Sequence, residues 1–145
     1  MAALTRPCDP PNLNPALSKQ VHPSDLARAL RASWDSQTAY QGAVVPGNPA
    51  FGQCYPTSRV VQWFYPEYEI AKGEVWTGTC IETHFWNVRG GDNSEWLDLS
   101  WAQFLPGSIV RHYVILDRSA LNDSEGTTER CRLLLERVRC HLRAE

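Results

Sequence analysis

A cysteine, a histidine and an aspartate follow one another along the middle of the chain as Cys54, His84 and Asp98. These are the residue types of a catalytic triad, in which a thiolate attacks a carbonyl carbon, an imidazole moves the proton and a carboxylate orients the imidazole. Each residue type is also common in protein cores. The hypothesis therefore depends on whether local structure brings the three side chains together.

Cys54 lies at the predicted start of a helix. Residues 52–56 (GQCYP) follow a Gly- and Pro-rich segment, and proline is favoured in a first helical turn. Val60, Val61 and Phe64 then form an apolar stripe at helical spacing. The positive end of the helix dipole favours a thiolate, and the unpaired N–H groups of the first turn can form an oxyanion hole.

His84 and Asp98 flank a turn signal, the sequence Gly-Gly-Asp-Asn at residues 90–93. If the hairpin is centred on Gly91, the two side chains lie directly opposite each other, with Cβ atoms about 4.5–5.5 Å apart. If the centre is Asp92 instead, they form a diagonal pair on the same face. In either register the carboxylate can accept an imidazole N–H and fix the tautomer.

Amide and aromatic side chains complete the candidate site. Gln53 and Asn87 are possible amide donors, although strand alternation places Asn87 on the face opposite His84. Four aromatic residues could line a cleft or pack in the core of the sheet, and we expect core packing for at least two of them: Tyr55, Trp86, Trp96 and Trp101.

The predicted elements indicate an α+β fold, with the helix that bears Cys54 packed on a small, mainly antiparallel sheet between flanking helices. Strands are predicted over 69–76, 79–89, 95–101 and 111–116, the last as a central strand because of its apolar end. The flanking helices are predicted over about 25–35, with Ser24 as N-cap, and 127–143. Residues 1–23 hold five of the ten prolines and predict an irregular leader; residues 24–145 form a single domain.

Composition excludes several classes of protein. Fourteen Lys and Arg residues against sixteen Asp and Glu residues give a net charge of −2, unlike the basic surface of a nucleic-acid binder. No apolar run approaches the ~20 residues of a membrane span. The five cysteines show no CxxC pair, and the N-terminus lacks the apolar core of a signal peptide, so we expect reduced thiols and a cytoplasmic location.

A metal site is the chemical alternative. Cys80 and His84 are four residues apart on a predicted strand, and Cys54 and Asp98 could complete four zinc ligands. Structural zinc sites usually take their ligands in close pairs, which this chain lacks. We therefore expect no metal and no cofactor.

The chain resembles the bacterial YunG-like family over about residues 24–142. The matching stretches are Gly52-Gln53-Cys54 with the following TSRVVQ, His84-Phe85-Trp86-Asn87, and Asp98-Leu99-Ser100 leading to Gln103-Phe104. The resemblance implies a papain-like fold with Cys54 as nucleophile, His84 as base and Asp98 as orienter. A mild departure is Ser100, where the family more often has Thr.

The short spacing from cysteine to histidine is similar to that of transglutaminase-like and arylamine-acetyltransferase-like enzymes, which transfer acyl groups through a thioester. We therefore expect a cysteine-dependent peptidase, amidase or deamidase that acts on a peptide or protein amide. The alternative is a non-catalytic interaction module on the same fold, with exposed aromatic side chains as its partner surface. Alkylation with iodoacetamide distinguishes the two, because a triad thiolate reacts ahead of the other cysteines.

Overall fold

The computed structural model describes residues 21–144, which form three helices and one four-stranded antiparallel sheet. The expected α+β class is confirmed. In chain order the elements are α1 (Pro23–Ser33), α2 (Cys54–Phe64), β1 (Glu69–Trp76), β2 (Ile81–Arg89), β3 (Glu95–Leu97), β4 (Ile109–Ile115) and α3 (Glu125–Ala144). Residues 1–20 of the predicted leader lie outside the described residues.

Helix α1 begins earlier than its sequence signals predicted. His22 is the N-cap and Pro23 is the first helical residue, so Ser24 lies inside the helix and the prediction of Ser24 as N-cap is wrong. Proline is well suited to this first position because its missing N–H would have no partner there.

Among the helices of residues 21–144, none combines the length and the apolar character needed to cross a membrane.

Helix α2 contacts both the sheet and α3. Every residue from Pro56 to Phe64 is buried, because α3 and strands β1 and β2 contact α2 and its apolar side chains share one core cluster with those of α1 and α3. Trp34, at the end of α1, donates its indole N–H to Thr57 Oγ1 of α2 at 3.0 Å. The predicted burial of Val60, Val61 and Phe64 is thus confirmed.

The strands follow the order β3-β2-β1-β4, so β1 and β2 are central. The prediction of a central fourth strand is wrong, because β4 pairs only with β1 and forms one edge. Its alternating exposure, with Ile109 and Val114 more than half exposed, is that of an edge strand with one solvated face.

The centre of the β2–β3 hairpin lies one residue beyond Gly91, so each β2 residue pairs with a β3 position two residues further along the chain than that prediction had it. Asn87 pairs with Leu97 and Arg89 with Glu95, which places the centre of the hairpin at Asp92. The direct pairing of His84 with Asp98 is therefore wrong and the diagonal alternative is correct. Strand β3 also ends at Leu97, four residues before its predicted end, so Asp98 lies just beyond the strand.

Trp86 packs across β1 at a glycine. A Cβ on Gly73 would lie 2.6 Å from Trp86 Cη2 and 2.6 Å from the carbonyl oxygen of His112. The Trp86 side chain is 1% exposed and contacts Tyr113 of β4, with ring centroids 5.4 Å apart. Trp86 is a core residue, and its assignment as a substrate-binding residue is wrong.

Candidate functional site

His84 and Asp98 are in direct contact. His84 Nε2 donates to Asp98 Oδ2 at 2.7 Å, and the imidazole is fully buried. The other carboxylate oxygen accepts from the backbone N–H of Ser100 at 3.3 Å. Asp98 lies beyond the end of β3 and has no partner in the sheet. The contact with Ser100 in the following turn holds its carboxylate in place instead.

Cys54 is the first residue of α2. Two residues before it, the backbone takes a left-handed conformation that favours glycine. Gly52 has φ +77°, and its carbonyl oxygen accepts from the N–H of Tyr40 at 2.8 Å. The Cys54 side chain is partly exposed and lines a cleft. The N–H groups in the first turn of a helix have no partner within the helix, so donors are present beside the thiol.

The pKa of His84 is raised from 6.5 to about 9. Burial of the imidazole acts in the opposite direction, but hydrogen bonds to Asp98 and Cys54, and the charges of the same two groups, outweigh it. The imidazole is therefore protonated at neutral pH. Since Nε2 contacts Asp98, Nδ1 is the nitrogen left for Cys54.

Aromatic rings enclose the imidazole and exclude water from it. Trp86 stacks on His84 with ring centroids 5.6 Å apart, and Phe104 meets it edge-on at 4.8 Å. Trp101 adds a further edge contact at 5.8 Å. The Asp98 hydrogen bond is therefore made in an environment of low polarity, where electrostatic attraction is strong.

A cleft of about 690 Å³ opens over Cys54. Its walls are mainly aromatic and apolar, with a few polar groups, which is typical of ligand sites. The cleft is lined by the segment before α2, by α2 itself, by β1 and β2 and by the turn after β3. The lining residues are Tyr40, Gln41, Ala43, Phe51, Gly52, Cys54, Tyr55, Lys72, Glu82, Thr83, Phe85 and Gln103.

The two predicted amide donors do not serve the cleft. Gln53 is buried, with Oε1 accepting from Thr38 Oγ1 at 2.8 Å and Nε2 donating to the carbonyl oxygen of Asp35 at 3.0 Å. Asn87 Nδ2 donates to the carbonyl oxygen of Ser58 inside α2 at 3.0 Å. Both amides hold α2 in place, so their assignment as oxyanion or substrate-binding groups is wrong.

Tyr55 lines the cleft as predicted, and a buried ion pair fixes it there. Its hydroxyl donates to Asp123 Oδ1 at 2.5 Å, and Asp123 Oδ2 lies 3.0 Å from Arg59 Nη2. Burial, followed by the hydrogen bond to Asp123, raises the pKa of Tyr55 well above its usual value of 10. Trp101 contacts His84 rather than the cleft, and Trp96 is 45% exposed beside Trp86.

Gln103 is a site residue that sequence patterns did not reveal. It lines the cleft, and its Nε2 lies 3.4 Å from His84 Nδ1. Gln103 belongs to a short 3-10 turn, Trp101–Gln103, which replaces the predicted end of the return strand. The available sequence signal was its place in the third motif of the family resemblance.

The alternative zinc site is not assembled. Cys80 lies in the turn before β2, exposed, with its thiol 3.6 Å from Glu82 Oε2. Across residues 21–144, no three His, Cys, Asp or Glu side chains are grouped so that they could hold a metal ion. His84 instead binds Asp98 through Nε2 at 2.7 Å.

Comparison with known proteins shows the family to which this chain belongs. Neither the curated proteins nor the solved structures contain a significant match to this chain. The model of the family described as YunG protein matches residues 22–143. This range includes the whole sheet and all three helices, except for Ala144 at the end of α3. The chain therefore belongs to the YunG protein family.

Proposed function

We propose that this protein is a cysteine-dependent acyl-transfer enzyme of the peptidase, amidase or deamidase type, with a papain-like arrangement of its active site. The observation that carries the proposal is the buried 2.7 Å contact between His84 Nε2 and Asp98 Oδ2, with Cys54 interacting with the same imidazole from the cleft. A nucleophile at a helix start with its base and orienter on an adjacent antiparallel hairpin is a triad in the general sense.

Each residue has one role in the proposed reaction. The Cys54 sulfur attacks the carbonyl carbon of an amide, and the C–N bond breaks as the His84 imidazolium gives its proton to the leaving amine. Water then attacks the thioester while neutral His84 takes its proton, and the C–S bond breaks to release the acid and the thiolate. Asp98 keeps the ring oriented throughout, and no cofactor takes part.

The cleft supports a peptide or protein amide as substrate. Tyr40, Phe51 and Phe85 provide apolar walls beside Cys54, and Lys72 and Glu82 bring one charge of each sign. A cleft of about 690 Å³ is large enough for several residues of an extended peptide or for a long amide side chain.

The second candidate, an interaction module, rests on a different surface. Trp76 of β1 pairs with Ile81 of β2 and with Ile109 of β4, and these three side chains are 38%, 45% and 56% exposed. They form an apolar row at one end of the sheet. An interaction surface formed by that row would leave the buried His84–Asp98 pair, next to a cysteine in a cleft, without a function. We therefore favour the enzyme.

Acylation by p-nitrophenyl acetate tests the proposed function. We expect a burst of p-nitrophenolate and one acetyl group on Cys54, located by peptide mass spectrometry and removed by hydroxylamine. Cys80→Ala and Cys140→Ala remove the other two exposed thiols among residues 21–144 and should leave the burst unchanged. Cys54→Ser and His84→Gln should abolish it. Acetylation spread evenly over Cys54, Cys80 and Cys140 would refute the proposed function.

A further inference from the structure

The side-chain amide of Gln103 lies next to the groups that react. Its Nε2 is 3.4 Å from His84 Nδ1 and it lines the same cleft as Cys54. The same Nε2 donates to the carbonyl oxygen of Ser100 at 3.2 Å. Because a carbonyl oxygen can only accept, this contact identifies the amide atom that faces His84 as the nitrogen.

One N–H of this amide is available for a ligand. A primary amide nitrogen carries two hydrogens, and the contact with Ser100 uses one of them. The second lies on the side of His84, but a protonated imidazole carries a hydrogen on Nδ1 and cannot accept another. Gln103 thus offers a hydrogen-bond donor beside Cys54.

Backbone contacts on both sides hold Gln103 in this position. Its N–H donates to the carbonyl oxygen of Ser100 at 3.1 Å, and its own carbonyl oxygen accepts from Asn48 Nδ2 at 2.9 Å. Asn48 belongs to the segment before α2 that forms one side of the cleft. Such a donor is already oriented before the substrate arrives, which is the condition for effective stabilisation of a transition state.

We propose that Gln103 is a catalytic residue whose Nε2–H, together with backbone N–H groups at the start of α2, stabilises the oxyanion formed when Cys54 adds to a carbonyl. This inference rests on the proposed function and assigns a role that Gln53 cannot fill, because both ends of the Gln53 amide bind within the core. As the C–S bond forms, the carbonyl π electrons move to oxygen; they return when the leaving group departs.

Two reagents separate an oxyanion donor from a residue that only supports the site. Acylation of Cys54 by p-nitrophenyl acetate passes through a tetrahedral oxyanion. Alkylation of the same thiol by iodoacetamide displaces iodide at a saturated carbon, so no charge develops on an oxygen. Removal of the Gln103 donor should therefore slow the first reaction and leave the second unchanged.

The experiment compares Gln103→Ala and Gln103→Met, the latter keeping the length of the side chain, with wild type. We expect the acylation rate to fall by roughly 10²–10³-fold, as for removal of one oxyanion-hole donor, while the alkylation rate of Cys54 and its pH profile stay as in wild type. Gln37→Ala is the matched control, since Gln37 lies on the exposed surface bound to Arg137 and away from the cleft.

Each other outcome is decisive. An equal fall in acylation and alkylation would mean that Gln103 acts through the position of His84, and the proposal would be wrong. Unchanged acylation in both variants would also overturn it and leave the proposed function intact. If wild type is alkylated but never acylated at Cys54, the proposed function fails and the role of Gln103 fails with it.

Discussion

His84 Nε2 and Asp98 Oδ2 are 2.7 Å apart, although the two residues occupy diagonal positions and Asp98 lies beyond the end of β3. The imidazole is fully buried and the carboxylate is 16% exposed, so the pair is shielded on the side of the ring and reaches solvent only through the acid.

Asp98→Asn should lower the pKa of His84 from its value of about 9, because the variant removes the adjacent negative charge and keeps the shape of the side chain. NMR titration of the imidazole measures this directly. With p-nitrophenyl acetate, we expect the acylation rate of Cys54 to fall by roughly 10²–10⁴-fold, since the imidazole loses its orienting partner. Asp92→Asn is the control, because it makes the same change in the same hairpin. Among the described contacts, Asp92 binds only Ser94 in the turn, so this variant should alter neither the pKa of His84 nor the acylation rate. A pKa of His84 that stays near 9 in Asp98→Asn would contradict the assigned cause.

The stability of the fold should fall as the pH rises through the titration of His84. The folded pKa of about 9 lies above the value of 6.5 for an unperturbed histidine, so the folded state binds the proton more tightly than the unfolded state. The contribution is complete below pH 6.5 and is lost between 6.5 and about 9, with a total of roughly 3 kcal/mol.

Urea unfolding at intervals from pH 6 to pH 8.5 measures this loss. Cys131 adds a smaller loss near the upper limit, because burial raises the pKa of its folded thiol to about 12 while the unfolded thiol begins to ionise there. The slope should be much smaller in Asp98→Asn. A free energy of unfolding that rises with pH over this range would show that the histidine is bound in its neutral form.

Asp123→Asn should destabilise the fold by about 3–5 kcal/mol, because it leaves the buried Arg59 guanidinium next to a neutral group. The Arg59 side chain is fully buried and that of Asp123 is 5% exposed. Asp25→Asn is the matched control: the Asp25–Arg28 pair is 2.8 Å long but largely exposed, so the loss there should stay below about 1 kcal/mol. Chemical denaturation compares the two. Similar losses in both variants would mean that the buried pair contributes no more than a surface pair.

Gly73→Ala should destabilise the fold by about 1–3 kcal/mol or more, because its methyl group would lie 2.6 Å from both the Trp86 ring and the backbone oxygen of His112. The displaced Trp86 ring also stacks on His84, so the acylation rate should fall as well. Gly91→Ala adds the same methyl group to the hairpin turn, where no atom lies within 4 Å, and should be close to neutral. Thermal unfolding of the two variants measures the difference. Equal melting temperatures would refute the close packing of Trp86 over β1.

The sequence alone predicted the type of each main element, the place of Cys54 at a helix start and the proximity of His84 and Asp98. A proline in the first turn, a preceding glycine and an apolar stripe are local signals, and they placed Cys54 at a helix start correctly. The Gly-Gly-Asp-Asn turn likewise placed His84 and Asp98 near each other, because a hairpin joins strands that are adjacent in sequence. These predictions needed no knowledge of long-range packing.

Only the tertiary structure decided the features that depend on contacts between distant segments. The register of the hairpin is one such feature, because the turn residues are compatible with either centre and the structure has the centre at Asp92. Three further features have no periodic pattern in the sequence that could predict them. They are the edge position of β4, the hydrogen bond between Gln53 and Thr38 and the contact of Gln103 with His84. Side-chain amides can bind any nearby donor or acceptor, so their partners are known only once the fold has brought those groups within about 3 Å.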